Sequence, residues 1–249
     1  MCDAPQWCTD VGAVADREGA PVDRTLDAVI RQAPLFSGLA DDDVRALVES
    51  MEETHVPRGE TLFHEGDDGD RVYVVVEGKV KMGRHAPDGR ENLMAVLGPG
   101  QMFGELSLFD PGPRAATVSA VTDSVLLGLS HSQLLTWLEG RPDVARGLLA
   151  QLAGRLRRTS DIVADLVFSD VPGRVAKSLL DLSRRFGAPA EGGIRVAHDL
   201  TQEELAQLVG ASRETVNKAL ADFSARGWIR LEQRSVVLLD PERLRRRAR

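Results

Sequence analysis

LTQEELAQLVGASRETVNK, residues Leu200 to Lys218, reads as two short helices joined by a tight turn. Thr201 and Glu204 have the spacing of a capping box, in which the hydroxyl meets the N3 amide and the carboxylate reaches back. Leu205 and Leu208 then face inward, and Gly210 ends the helix as a left-handed cap would. Ser212 is placed to cap the second helix. Val216, Leu220 and Phe223 form its buried i, i+4, i+7 stripe, leaving Arg213, Glu214, Asn217 and Lys218 exposed near its start. A second helix with long hydrogen-bonding side chains at its N-terminus is how a recognition helix enters the major groove. Arg can take guanine bidentately and Glu can accept from cytosine N4. Phosphates repel a glutamate, so Glu214 favours base reading over plain backbone binding. Thr201, Gln202, Ser212 and Thr215 complete the candidate DNA-binding set. The alternative is an ordinary helical hairpin. Downstream, Trp228–Glu232 and Val236–Leu239, with Gln233-Arg234 between them, read as a wing hairpin.

Charge supports one polyanion-facing end. Residues 1–170 carry 16 Lys and Arg against 28 Asp and Glu, whereas residues 171–249 carry 15 against 10. An acidic front and a basic rear place any nucleic acid at the rear. The 249 residues suffice for two domains. The longest apolar runs, such as Val72–Val76 and Val125–Leu129, are strand-sized, far short of the roughly 20 residues of a membrane span. With no signal-peptide pattern at the start, the expected location is the cytoplasm. Cys2 and Cys8 are too few for a four-thiolate cluster.

Residues 1–25 are polar and aperiodic, as in a flexible extension. From about Val56 short apolar strands alternate with turns such as Glu65-Gly66-Asp67, Glu77-Gly78 and Gly98-Pro99-Gly100. That rhythm indicates an antiparallel barrel or roll. A long helix follows from about Pro142 to Phe168. Its seam, Ala145, Leu149, Leu152, Leu156, Thr159, Val163 and Leu166, keeps a heptad spacing that predicts a two-stranded coiled coil and hence a homodimer. Asp170-Val171-Pro172-Gly173 reads as a break and hinge. A helix (Arg174–Phe186), a Gly/Pro loop (Gly187–Gly193), two short helices and two strands follow.

These residues resemble the cyclic-AMP receptor protein/fumarate-nitrate regulator family of bacterial transcription factors, and within it the actinobacterial cyclic-AMP receptor branch. The resemblance runs from about Leu35 to the C-terminus. It implies that Arg213, Glu214 and Lys218 contact bases; Lys in the last place loses the bidentate option. It also implies a phosphate-binding cassette on Gly104-Glu105-Leu106-Ser107-Leu108-Phe109 with Arg114. There Gly104 would allow close backbone approach, Glu105 would accept from a ribose 2′-hydroxyl and Arg114 would pair with the cyclic phosphate. The family's adenine-contacting pair falls on Thr159-Ser160. One departure stands out, because the hydroxyl residue after the cassette arginine is Ala115 here. The amide remains, but a lost hydrogen bond to a charged group is worth ~1.5–3 kcal/mol.

The expected architecture is therefore α+β. Behind the extension lie a cyclic-nucleotide-binding β-roll (26–141), a long dimerisation helix (142–169) and a C-terminal winged helix-turn-helix domain (170–249). The expected effector is cyclic AMP, with cyclic di-GMP, a redox signal through Cys2 and Cys8, or a haem ligand as alternatives. The expected partners are double-stranded DNA with palindromic GTGA-type half-sites, a second copy of the chain, and RNA polymerase. No membrane partner and no metal are expected. An enzyme is disfavoured: no nucleophile–base pair or Walker-type loop is visible, and the five histidines share no spacing.

Overall fold

Turn glycines and β-branched runs fold the N-terminal half into stacked antiparallel sheets. The computed structural model describes residues 26–33, 36, 39–85, 91–109, 112–139 and 141–248; the expected extension, with Cys2 and Cys8, lies outside them. Helices α1 (Leu26–Ile30) and α2 (Asp41–Ser50) lead into β1 (Glu52–Val56), β2 (Thr61–Phe63), β3 (Arg71–Glu77), β4 (Val80–His85), β5 (Glu91–Leu97) and β6 (Met102–Phe103). A short helix α3 (Leu106–Phe109) precedes β7 (Thr117–Ala120) and β8 (Ser124–Ser130). One sheet has the order β1-β8-β3-β6 and the other β2-β7-β4-β5.

Strand periodicity explains why Val72–Val76 is apolar throughout. Val72, Val74 and Val76 point to a core shared with Ile30, Phe36, Leu47 and Leu134. Val75 points the other way, to Val80, Phe103, Val118 and Leu126 between the sheets. Helix α4 (His131–Leu138), capped by a box of Ser130 and Gln133, closes the roll.

Helix α5 (Pro142–Phe168) runs for 27 residues. Leu148 and Leu152 pack into the roll's helical core. Along the rest of the seam Leu149, Leu156, Val163 and Leu166 are 64%, 70%, 56% and 52% exposed. Helix α6 (Val171–Phe186) begins after only Ser169 and Asp170. The break is thus narrower than Asp170–Gly173. Asp170 caps the Gly173 amide and Pro172 sits in the first turn, where its missing N–H costs nothing.

The expected Gly/Pro loop is instead a hairpin of β9 (Gly187–Ala190) and β10 (Gly193–Val196). Helices α7 (Gln202–Val209) and α8 (Arg213–Ala225) and the wing strands β11 (Ile229–Glu232) and β12 (Ser235–Leu238) follow, with the sheet order β11-β12-β10-β9. A terminal helix α9 (Pro241–Arg247), unforeseen from the sequence, packs Leu244 into this core. Among the described residues no helix is long and apolar enough to cross a membrane.

Candidate ligand cassette and DNA-reading face

Gly104 has φ +85, a conformation L side chains avoid. A Cβ there would lie 2.8 Å from Arg114 Nη1 and 2.9 Å from the Arg71 carbonyl. That close approach lets Arg114 Nη1 donate to the carbonyls of Arg71 (2.8 Å) and Gly104 (3.2 Å). The guanidinium also lies 4.3 Å from the Phe63 ring centroid, in cation–π range. Arg114 is only 4% exposed, and burial pushes its pKa down. It has no ion pair among the described residues, and its Nε has no hydrogen-bond partner. A buried cation without a counter-anion is costly. Such a site can receive an anion.

Beside it Glu105 is fully buried, and burial raises its carboxyl above the ordinary range despite the opposing pull of Arg155. Arg155 Nη1 donates to Glu105 Oε1 at 2.5 Å and Nη2 to the Met102 carbonyl at 2.5 Å. Glu105 Oε2 has no hydrogen-bond partner among the described residues. One carboxylate oxygen is thus anchored to α5 and the other is open to a hydroxyl donor. Ser107 is buried against Gly69, where a Cβ would meet its Oγ at 2.5 Å. Leu106 and Ala115 are exposed. An orphaned guanidinium, an open carboxylate oxygen and a glycine cradle fit a small molecule carrying both an anionic phosphate and a hydroxyl.

Thr159 and Ser160 are not brought to the cassette within the single chain. Both are exposed, and Ser160 Oγ donates to the Leu156 carbonyl at 3.0 Å. Thr159 stands one turn beyond Arg155, on the same face of α5. Arg155 is the cassette residue that sequence reasoning missed.

On the DNA side the caps form as expected. Thr201 N donates to Glu204 Oε2 at 2.7 Å and Glu204 N to Thr201 Oγ1 at 3.1 Å. Gly210 is left-handed with φ 69, and Ser212 Oγ accepts from Thr215 N. Val216, Leu220 and Phe223 are buried, leaving Arg213, Glu214, Thr215 and Lys218 exposed. Lys218 Nζ lies 2.6 Å from Glu214 Oε1, so each masks the other's charge. Asn217 departs from the expected exposed face. It is half-buried and donates to Gln202 Oε1 at 3.1 Å, tying α8 to α7.

Residues 53–141 match the family model of the cyclic nucleotide-binding domain, and residues 173–247 that of the Crp-like helix-turn-helix domain. The chain is 54% identical over 224 residues to the CRP-like cAMP-activated global transcriptional regulator of Mycobacterium tuberculosis, covering 90% of this chain and all of that one. The chain belongs to the Crp family of transcription regulators. It is a DNA-binding, cyclic-nucleotide-binding-type regulator and not an enzyme. Two solved structures share its fold. FixK2 from Bradyrhizobium japonicum has TM-score 0.71 at 28% identity, covering 79% of this chain and 96% of that one. The c-di-GMP responsive global regulator CLP of Xanthomonas campestris has TM-score 0.69 at 26% identity, covering 80% and 99%.

This Crp-family chain also carries a contact between roll and reader that the sequence reading did not foresee. Lys79 pairs with Asp199, and Lys81 Nζ lies 2.9 Å from Glu204 Oε1. Arg185 Nη1 donates to the Val96 carbonyl at 3.1 Å. Leu93, Val96 and Val121 of the roll join the reader's core, near Phe186 and Leu205. A signal was available. Lys79 and Lys81 are the only lysines in the first 170 residues, and their spacing of two on a strand puts both on one face. Among the described residues no cluster of His, Cys, Asp and Glu could hold a metal ion.

Proposed function

We propose that this regulator is a cytoplasmic homodimer whose sequence-specific DNA binding is controlled by a cyclic nucleotide, cyclic AMP foremost. The observation that carries the reading is Arg114, a buried guanidinium with no ion pair and an unpartnered Nε among the described residues, beside the open oxygen of Glu105. In the proposed complex the cyclic phosphate meets Arg114, the Ser107 hydroxyl and the Ala115 amide. The ribose hydroxyl donates to Glu105 Oε2. The backbone of Gly104 and Leu106 shapes the floor. Thr159 and Ser160, exposed on α5, meet the base at the dimer seam. The exposed heptad residues of α5 join two copies of the chain. Arg213, Glu214 and Lys218 read palindromic GTGA-type half-sites about one helical turn apart. Thr201, Gln202, Ser212, Thr215 and Asn217 position the reader, and RNA polymerase is the further partner.

Control requires the nucleotide to bind the DNA-competent arrangement more tightly than the other. Arg155 offers the route, because it links Glu105 directly to α5.

Isothermal titration with cyclic AMP, cyclic GMP and cyclic di-GMP tests the ligand. The expected result is cyclic AMP binding that Arg114→Ala abolishes. Ala115→Ser should tighten it, since a bond to a charged group is worth ~1.5–3 kcal/mol. Retained binding in Arg114→Ala would move the site elsewhere. A response to cyclic di-GMP alone would replace the ligand.

A further inference from the structure

We propose that one flank of the terminal helix α9 is a second DNA-contacting surface, gripping backbone phosphates beside the recognition helix. This rests on the DNA-reading assignment and extends it to residues outside the helix-turn-helix.

The first turn of α6 fixes where α9 lies. Arg247 Nη2 is 2.5 Å from Asp170 Oδ2. The Arg247 carbonyl comes so close to Gly173 that a Cβ there would sit 3.2 Å from it. The next residue, Arg174, donates from Nε to the Val209 carbonyl at 3.1 Å and from Nη2 to the Gly210 carbonyl at 3.2 Å. Gly210 leads directly into the cap of α8. Adjacent residues of one helical turn therefore hold the end of α9 on one side and the start of the recognition helix on the other.

On α9 itself Leu244 is fully buried and sets the inward face. At 3.6 residues per turn, Arg243, Arg246 and Arg247 fall within about 100° of one another. Arg243 and Arg246 are exposed. The nearest carboxylate to Arg243 is Asp240 at 3.8 Å, and Arg246 has no ion pair among the described residues. Arginines grouped this way on a helix that the first turn of α6 links to the turn before α8 match phosphates, which the guanidinium fork can take bidentately.

The test is a salt series of DNA binding by the full chain, on a GTGA-type palindromic duplex and on a scrambled duplex. Arg243→Gln combined with Arg246→Gln should weaken both complexes alike. It should lower the slope of log K against log salt by about 0.9 for each phosphate that is no longer neutralised. The Arg→Lys pair should restore the slope, and the thermal midpoint should stay put because both side chains are exposed. Arg213→Ala should instead erase the preference between the duplexes. An unchanged slope in the glutamine variant, with wild-type protein binding normally, overturns the α9 surface alone. Wild-type protein that binds neither duplex overturns the reading beneath it as well.

Discussion

Lys81 Nζ and Glu204 Oε1 lie 2.9 Å apart across 123 residues of chain, joining β4 of the roll to the capping box of the first reader helix. Both side chains are about four-fifths shielded, at 18% and 20% exposure. Glutamine also serves at the third position of a capping box, so Glu204→Gln removes the ion pair while keeping the cap. The expected destabilisation is about 1–2 kcal/mol, between the values for exposed and buried pairs. Chemical denaturation reads it, and a cycle with Lys81→Met should be non-additive. Burial pushes the Glu204 carboxyl up, but hydrogen bonds from Lys81 and Thr201 outweigh it and leave the pKa below its ordinary value. The ion pair thus stabilises the fold in full above the ordinary carboxylate pKa, and that stability disappears as pH falls through the lowered one.

His198 should set an acid limit on stability. Burial lowers its pKa from 6.5 to about 4, and Nδ1 accepts from Leu200 N at 3.1 Å. The unfolded chain takes up the proton near pH 6.5 and the folded chain does not. Stability is therefore full above that pH and declines from about 6.5 toward 4, by ~3 kcal/mol at most. His198→Asn, whose carbonyl can accept the same amide, should flatten that limb in thermal unfolding followed against pH.

How much of this was legible depended on how local each feature is. Thr201, Glu204, Gly210 and Ser212 act on amides within four residues, so the helix-turn-helix could be read directly. Gly104, Glu105 and Arg114 came from resemblance, since nothing periodic marks a loop around a ligand. Arg155 was hidden because it stood beside Arg157 and Arg158 as one more flank charge, while its partner lies 50 residues away. Helix α9 was missed despite an Asp240 cap and Pro241, the usual signs of a helix start. Its single buried residue, Leu244, gave no apolar stripe to find.

Gly104→Ala should damage the cassette twice. The left-handed backbone costs about 1–2 kcal/mol for an L side chain, and the added methyl would fall on the Arg114 guanidinium. The expected outcome is a lowered melting temperature together with loss of cyclic-nucleotide binding by calorimetry. Unchanged binding would show that the Arg114 position is not needed.

Leu156→Asp tests the seam. Leu156 is 70% exposed in the single chain, whose fold should keep its stability within about 0.5 kcal/mol. Sedimentation should show a shift from dimer to monomer. Affinity for a palindromic duplex should fall toward that for a single half-site.

Glu214→Ala should relax base choice at one position of each half-site while leaving the rest of the preference intact. Discrimination there should drop by about 1–3 kcal/mol, as for one good base pairing by a side chain. Freed from Glu214, Lys218 should also strengthen binding to scrambled DNA. Selection from a randomised duplex pool reads the first effect and direct titration the second.

Helix α5 is a lever. Its Leu148 end is seated in the roll, and near its far end Leu166 Cδ2 lies 3.3 Å from where a Cβ on Gly210 would stand. At 1.5 Å per residue the arm from Leu148 to Leu166 is about 27 Å long, so a tilt of about 4° at the seated end swings the tip by about 2 Å. A displacement that size is comparable to the length of a hydrogen bond. In the proposed control, a shift of Arg155 by a fraction of that distance would be geared up where the two reader helices meet.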